Sequence, residues 1–551
     1  MVARNSVTNK GVVKFDFSIL KHLNPGIVLL KKYKDNILIS SKKVRYTNNL
    51  NSYRFIVNDI VEAGLYNYKY ELWYENKLIR KAEQVCCGDF YIINGQSNAE
   101  AMMQNGSSSS DCNPFIRTYA NAAESNYNKI WSIATGDGTK DTAGHIGQLG
   151  IALAKNIVFY HHIPVCILNG AVGGKDIKYF LRDESNKENP LTAYGRLYTR
   201  VKEADALYNI RAIIWYQGEN DAYTGTSYDT YLDRNQKLYN AWKEDYKNIE
   251  NIYFFQLKSG CNQSTKSTGI IQQAQLDMKK SHSDISIIST ANIAHGTDNC
   301  HFDYMNGYKV LGNKIYQFVS YYQYNSADRF AVCSPAVSSV WIKDKTKLYL
   351  KVETASQLIL NKDIKQDFYL NKTLQKPSDI EVSGDTIKLF FKNTIDTDDS
   401  ISYSGHPGDS DYFIATPHGN ALLCFYGIKV HDTVTHEPLP NELPVLSAPD
   451  IDNEAVPSEP PVPIAGNQNN DSVAVYVHGE KLFIISKYNE QLKGNYSLYH
   501  NNGKLSDKGY IVIFQGINMI ELDIPEHNLF ILLLNIGTPH GNVRRELKIV
   551  K

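Results

Sequence analysis

The middle of the sequence predicts an α/β fold, in which a parallel sheet is covered by helices on both faces, with β-rich segments on either side. Between about Cys87 and Tyr322, short apolar runs alternate with stretches whose apolar residues recur at helical spacing. Strands that alternate with helices are typical of a parallel sheet. Helices are predicted over Ala143–Phe159, Tyr194–Leu207, Tyr228–Tyr246, Gly269–Lys280 and Tyr304–Phe318.

The flanking segments carry a different pattern. Up to about Cys86, and again beyond about Ala327, apolar and polar residues alternate in short runs, which indicates β-strands. Pro457, Pro460, Pro461 and Pro463 lie in a polar, acidic context that is typical of an extended linker. We therefore expect an N-terminal β domain at 1–86, an α/β domain at 87–325 and a β-sandwich domain at 326–445. A Pro-rich linker at 446–470 and a C-terminal β domain at 471–551 would follow.

The charge and hydropathy of the chain exclude some classes of partner. Lys and Arg together number 58, and so do Asp and Glu, so no global field favours nucleic acid or an anionic membrane. No apolar run reaches the roughly 18 residues that a membrane-spanning helix needs. Met1–Asn24 shows no charged start followed by a long apolar segment, so a secretory signal is either absent or already removed.

A strand that ends abruptly marks the first candidate site residue. The apolar run Phe90–Ile93 leads into a Gly-Gln-Ser-Asn turn, which presents Ser97 at the carboxyl end of the strand. Open α/β sheets bind their ligands at that edge. A serine in this position could equally be a helix N-cap, so the segment alone does not decide its role.

Two further strand ends carry groups that suit an oxyanion. Val165–Asn169 runs into a glycine-rich stretch that includes Gly173, where the backbone can approach a ligand closely. Ala212–Tyr216 runs into Gln217-Gly-Glu-Asn-Asp, whose carboxamides are neutral hydrogen-bond donors. Each segment taken alone also fits an ordinary turn at the end of a strand.

The fourth segment pairs an acid with an imidazole. Asp298 precedes His301 by three residues, and residues three apart are neighbours on a helical turn. The carboxylate can therefore hold one ring nitrogen and leave the other free to take the proton of Ser97. A surface ion pair or a metal ligand fits Asp-x-x-His equally well, but four strand ends that each carry part of an acyl-transfer site favour the catalytic interpretation.

Together these blocks carry a family resemblance over roughly Cys87 to Tyr322. The motifs at Gly95–Asn98, Gly173–Ile177, Trp215–Glu219 and Asp298–His301 resemble those of the SGNH hydrolases, and within them the sialate O-acetylesterases and related carbohydrate acetylesterases. The resemblance implies a flavodoxin-like central sheet and a serine hydrolase that removes acetyl groups from glycans without a cofactor or metal.

Carried over by position, the resemblance implies a role for each motif residue. Ser97 would be the nucleophile, His301 the general base and later the acid, and Asp298 the residue that orients His301. The oxyanion donors would be the backbone N–H groups of Ser97 and Gly173.

A carboxamide would complete the oxyanion hole, and two residues fit that role. General SGNH enzymes use the Asn of a Gly-x-Asn-Asp motif, which matches Asn220, whereas the Gln-Gly-Glu branch would use Gln217. We favour Asn220 and retain both.

The expected function is that of a carbohydrate O-acetylesterase acting on an acetylated glycan, with sialic acid as the expected sugar. Alternatives are an acetylxylan or pectin acetylesterase and a glycan-binding protein that has lost turnover.

Two features bear on the compartment. Cys261 and Cys300 would form a disulfide if their strand ends lie close together, and would otherwise be free buried thiols. The segment from about Val473 to Lys551 resembles the C-terminal sorting domains of the type IX secretion pathway of Bacteroidota, although an ordinary accessory β-sandwich would show the same pattern. The sorting resemblance implies a secreted or cell-surface protein.

Overall fold

The computed structural model divides the chain into two units, Met1–Val445 and Leu446–Lys551. The structure describes residues 1–20, 27–45, 47–48, 51–123, 127–325, 332–354, 356–408, 411–432 and seven strands between 473 and 550. The Pro-rich linker predicted at 446–470 lies outside the described residues. In the part of the chain so described, no helix combines the length and the apolar character that crossing a bilayer requires.

The predicted central sheet is confirmed, with one difference at its edge. Its strands lie in the order Trp131–Ile133, Ile116–Tyr119, Val165–Asn169, Cys87–Gly95, Ile210–Tyr216, Asn251–Phe255 and Ile285–Ile288, and Val2–Ala3 pairs with the start of Cys87–Gly95. All neighbouring pairs are parallel except the first, because Trp131–Ile133 runs antiparallel to Ile116–Tyr119. The sheet is therefore mixed.

Both faces of the sheet are buried under helices. Tyr91 and Ile93 point into one hydrophobic cluster and Phe90 and Ile92 into the other, as the two-residue period of a strand requires. The α-helices are Ser97–Glu100, Gln148–His161, Ala193–Glu203, Glu219–Thr224, Tyr228–Asp245, Thr265–Ser281 and Lys309–Tyr324, and shorter helical turns are Ser109–Asp111, Ile177–Phe180, Tyr304–Tyr308 and Lys365–Asp367. The five predicted helices are thus present with shifted ends, and the last begins with a π-helical turn at Tyr304–Tyr308.

The N-terminal segment forms two antiparallel sheets. One contains Lys10–Leu20, Ser52–Glu62 and Thr47–Asn48, and the other contains Ile37–Lys43, Val28–Lys34, Tyr68–Tyr74 and Lys77–Val85. Alternate side chains face inwards, and the Phe15 and Tyr70 rings meet edge to face with centroids 5.0 Å apart. Apolar residues of both sheets join the same hydrophobic cluster as Ile93.

The segment after the α/β domain has a core of its own. Its sheets contain Ala336–Asp344, Lys347–Glu353, Thr386–Phe390 and Asp379–Ser383; Phe368–Leu370, Ser400–Tyr403 and Phe425–Lys429; and Ile359–Leu360 with Ile414–Ala415. Leu350, Phe368 and Tyr403 lie in its hydrophobic cluster. Gln256 of the α/β domain exchanges hydrogen bonds of 2.8 Å with the backbone of Cys424, which fastens this segment to the carboxyl edge of the central sheet.

The second unit is also antiparallel. Val473–His478, Lys481–Ser486 and Gly516–Glu521 form one sheet, and Leu505–Ile513, Leu492–His500, Leu529–Thr538 and Gly541–Val550 form another. This β-rich architecture agrees with both interpretations of the C-terminal segment, and its resemblance to a sorting domain stays a prediction.

Candidate active site

The turn that carries Ser97 is built tightly into the edge of the sheet. Gly95 has a φ of 133°, and a Cβ placed on it would lie 2.0 Å from the carbonyl oxygen of Tyr216. Only glycine therefore fits there. The next residue, Gln96, donates its backbone N–H to the same carbonyl at 3.0 Å. Gln96 and Asn98 are buried, whereas Ser97 between them is partly exposed, so the turn presents the serine side of the loop to a ligand.

Asp298 and His301 are in contact, as predicted. Asp298 Oδ2 lies 2.5 Å from His301 Nδ1, while Oδ1 accepts the backbone N–H groups of Cys300 and His301 at 3.0 and 2.9 Å. The predicted reason is wrong, because the segment is a non-helical turn in which Asn299 has a φ of 55°. The carboxylate closes this turn itself by binding the two N–H groups.

The same contacts determine the chemistry of the pair. Burial acts to raise the pKa of Asp298, but the hydrogen bonds from the His301 ring and from the two backbone N–H groups outweigh it, so the pKa lies below its usual value. An ionised carboxylate on Nδ1 requires that nitrogen to carry the proton. His301 Nε2 then has its lone pair free and can act as a base.

A hydrogen bond joins the serine and histidine segments next to the two catalytic candidates. Asn98 Nδ2 donates to the carbonyl oxygen of Cys300 at 3.1 Å. Asn98 follows Ser97 in the chain and Cys300 precedes His301, so this bond links the residues adjacent to the two catalytic candidates. Within the described ranges, Ser97 Oγ and His301 Nε2 do not hydrogen bond to each other. Catalytic hydrogen bonds are often long in a free enzyme and form when substrate binds.

A disulfide holds the histidine turn from its other side. Cys261 and Cys300 are bonded, which decides between the two states that the sequence left open. The Cys261 N–H also donates to the carbonyl oxygen of Asn299 at 2.9 Å. A Cβ on Gly260 would lie only 2.7 Å from that same oxygen, so the two loops pack backbone to backbone.

Gly173 lies beside Ser97, but its N–H is occupied. A Cβ placed on Gly173 would be 3.5 Å from the Ser97 Cβ. The Gly173 N–H donates to Glu100 Oε2 at 2.9 Å. The structure therefore brings the predicted oxyanion donor close to the predicted nucleophile and pairs that donor with a carboxylate.

The two carboxamide candidates differ in their surroundings. Gln217 is fully buried, and its Nε2 donates to Asp221 Oδ2 at 2.5 Å while its Oε1 accepts the Tyr231 hydroxyl at 3.0 Å. Asn220 is half-buried, and its side chain has no hydrogen-bond partner among the residues that the structure describes. The Asn220 backbone N–H donates to Gln96 Oε1 at 3.1 Å, which fixes this residue to the serine turn. The Asn220 carboxamide is thus available to a ligand, whereas the Gln217 carboxamide is used in hydrogen bonds within the protein.

Sequence reasoning missed two acidic residues at this site. Glu100 binds the Gly173 N–H, and Glu219 is buried with Oε1 accepting from Asn98 Nδ2 at 2.8 Å. Burial raises the pKa of Glu219, and the bond from Asn98 acts in the opposite direction. The spacing of three between Ser97 and Glu100 was a usable signal, because it places both on one side of a helical turn.

No group of three or more His, Cys, Asp or Glu side chains suited to a metal ion occurs among the described residues. The arrangement that does occur is a partly exposed serine, an imidazole oriented by a carboxylate, and a carboxamide with no partner in the described part of the chain. These groups can carry out acyl transfer.

Comparison with known proteins supports the same chemistry. Residues 87–320 match the family model described as carbohydrate esterase, sialic acid-specific acetylesterase. These residues are a domain of that carbohydrate esterase family. The family resemblance predicted from the four motifs is confirmed, and no curated protein matches the sequence.

Solved structures show how far the fold is shared. A carbohydrate acetylesterase from Xanthomonas citri is similar over 77% of this chain and 96% of its own, with a TM-score of 0.56 and 14% identity. A protein from Arabidopsis thaliana is 19% identical, with 43% and 99% of the two chains covered and a TM-score of 0.34. A family two carbohydrate esterase from Cellvibrio japonicus is 10% identical, with 57% and 90% covered and a TM-score of 0.28. The first of these shows that the carbohydrate esterase fold extends beyond the α/β domain.

Proposed function

We propose that this carbohydrate esterase domain is a serine O-acetylesterase that removes acetyl groups from glycans, with acetylated sialic acid as its substrate. The observation that carries the proposal is the His301 ring, which Asp298 holds at 2.5 Å in a turn that Asn98 binds to the Ser97 turn. A hydroxyl and an oriented base on adjoining turns are what acyl transfer to serine needs. The family description supports the choice of sugar.

In the proposed reaction, Ser97 Oγ attacks the acetyl carbonyl carbon as His301 Nε2 takes the hydroxyl proton. The tetrahedral intermediate collapses when the bond to the sugar oxygen breaks and His301 gives its proton to that oxygen. Water, activated by the same imidazole, then attacks the acetyl-serine and releases acetate. All proton transfers pass through one ring, so no cofactor is needed.

The negative charge of the intermediate requires donors near Ser97. The Ser97 N–H lies in the first turn of Ser97–Glu100, where backbone N–H groups have no partner within the helix. The free carboxamide of Asn220 is the second proposed donor. Each such donor is worth roughly 10²- to 10³-fold in kcat.

The proposed compartment is extracellular or the cell surface. The Cys261–Cys300 disulfide supports it, because disulfides persist in oxidising environments and are rare in the reducing cytosol. The proposed C-terminal sorting domain would serve the same export.

Labelling with a serine-reactive phosphonate tests whether the protein is an enzyme. We expect one covalent label that disappears in Ser97→Ala. An unlabelled protein that still binds glycans would contradict the proposal and favour a non-catalytic binding protein.

Relative hydrolysis rates on O-acetylated sialic acid, acetylxylan and acetylated pectin test the choice of sugar. We expect the sialic acid ester to be hydrolysed fastest. Faster hydrolysis of acetylxylan or acetylated pectin would support an esterase but contradict sialic acid as its substrate.

A further inference from the structure

Glu100 is placed where a carboxylate is unexpected in an acyl-transfer site. It lies three residues after Ser97 in the helical turn Ser97–Glu100 and is 4% exposed. Its Oε2 accepts the Gly173 N–H at 2.9 Å, and its Oε1 accepts the Lys140 N–H at 3.1 Å. One side chain thus binds backbone groups of two loops beside the nucleophile.

The Gly173 N–H cannot serve two anions well. A Cβ on Gly173 would lie 3.4 Å from Glu100 Oε2 and 3.5 Å from the Ser97 Cβ, so the carboxylate and the nucleophile flank the same small volume. An oxyanion that shared this N–H would compete with Glu100 for the hydrogen bond. That oxyanion would also lie next to the acidic side chain of Glu100, which would disfavour its negative charge.

The surroundings of Glu100 hold its backbone in place. His145 Nε2 lies 3.1 Å from the Glu100 carbonyl oxygen, and a Cβ on Gly147 would lie 2.4 Å from that oxygen. The helical turn ends at once in Ala101, whose φ is 51°. Packing therefore fixes the Glu100 backbone, and the hydrogen bonds to the Gly173 and Lys140 N–H groups hold its carboxylate.

We propose that Glu100 is a positioning residue that holds the Gly173 turn against the Ser97 turn. By occupying the Gly173 N–H, it leaves the oxyanion to the Ser97 N–H and the Asn220 carboxamide. This inference rests on the proposed esterase function. It departs from the family resemblance, which implies that Gly173 is a donor.

The test compares Glu100→Ala and Glu100→Gln with the wild-type protein, using Glu188→Ala as a control. Glu188 is exposed, and its carboxylate pairs with Lys202 on the surface. For each variant, kcat and KM are measured on an acetyl ester and on its thionoester. Sulfur is a weak hydrogen-bond acceptor, so the ratio of the two rates reports how well the oxyanion donors are used.

We expect Glu100→Ala to lose roughly 10- to 100-fold in kcat with little change in KM, because the donors and nucleophile lose their alignment. Its preference for the oxygen ester over the thionoester should fall as well. Glu100→Gln keeps one oxygen acceptor, so we expect an intermediate loss. Glu188→Ala should match the wild-type protein in both kcat and the ratio.

Two results would overturn the inference. A rise in kcat and in the oxygen-to-thiono ratio of Glu100→Ala would show that the released Gly173 N–H joins the oxyanion hole. An unchanged ratio, with or without a lower melting temperature, would show that Glu100 only supports the fold.

Phosphonate labelling separates this inference from the proposed function. If the Glu100 variants are labelled at Ser97 but keep the wild-type oxygen-to-thiono rate ratio, the proposed role of Glu100 is contradicted and the proposed esterase function is not. A wild-type protein that cannot be labelled contradicts the esterase, and the inference with it.

Discussion

The two halves of the candidate site are held in different ways. The serine turn grows out of the central strand Cys87–Gly95, and its buried neighbours Gln96 and Asn98 bind the ends of adjoining segments. The histidine turn lies ten residues beyond its strand, Ile285–Ile288, and Asp298 is 47% exposed. It is fixed by a disulfide and a few backbone hydrogen bonds. We infer that the sheet positions the proposed nucleophile, Ser97, whereas the disulfide and local hydrogen bonds position the proposed base, His301.

The largest expected effect comes from removing either reacting group. Ser97→Ala and His301→Ala should each lower kcat by at least about 10⁴-fold, and the double variant should be about as slow as either one, because the groups act as a unit. Steady-state kinetics on an acetyl ester measures this. Losses that multiply in the double variant would show that the two turns do not act on one reaction.

The next effect separates the two carboxamides. Asn220→Ala should lower kcat by roughly 10²- to 10³-fold with an unchanged melting temperature, since that side chain has no partner among the described residues. Gln217→Ala should lower the melting temperature, because it removes a buried hydrogen bond to Asp221 and another to the Tyr231 hydroxyl. If Gln217→Ala lost activity without a change in melting temperature and Asn220→Ala kept its activity, Gln217 would be the oxyanion donor instead.

The contrast between the halves is sharpest at the disulfide. Cys261→Ser should lower kcat by roughly tenfold or more, because the His301 turn loses a cross-link while the serine turn keeps all of its contacts. Reductant should have the same effect on the wild-type protein. Cys112→Ser, which removes a free thiol, is the control and should behave like the wild-type protein. Full activity after reduction would contradict the proposed role of the disulfide.

The smallest expected effect is on stability and concerns the serine side. Burial lowers the pKa of His145 to about 4, so the folded state favours the neutral ring. The unfolded chain then binds more protons below pH 6.5, and the free energy of unfolding falls as the pH is lowered through that range. Urea unfolding should show up to about 2 kcal/mol of loss between pH 7 and pH 5 from this residue. A His145→Gln variant with an equally steep pH dependence would contradict this attribution.

Much of the fold could be predicted, because it depends on local patterns. The buried strand Phe90–Ile93, the helices that follow and the glycine that ends the strand all leave a periodic or compositional signal. The short edge strand Trp131–Ile133 leaves almost none, since three residues with exposed positions carry no period. Its antiparallel direction was therefore missed.

In the candidate site, too, contacts between residues close in sequence could be predicted and contacts between distant segments could not. Asp298 and His301 are close in sequence, so their contact could be predicted even though the helical reason was wrong. The bond from Gly173 to Glu100 joins segments 73 residues apart, and the disulfide joins residues 39 apart. Such contacts follow from tertiary packing, and a single sequence offers no distance between them.

The central claim is that Ser97, His301 and Asn220 meet around one acyl group, and a crystal structure of the phosphonate adduct tests it most directly. The account predicts phosphorus bonded to Ser97 Oγ, one phosphoryl oxygen within hydrogen-bond distance of the Ser97 N–H and the Asn220 carboxamide, and His301 Nε2 bonded to another oxygen of the adduct. An adduct on a different residue, or a His301 ring that remains out of reach of the adduct, would contradict it.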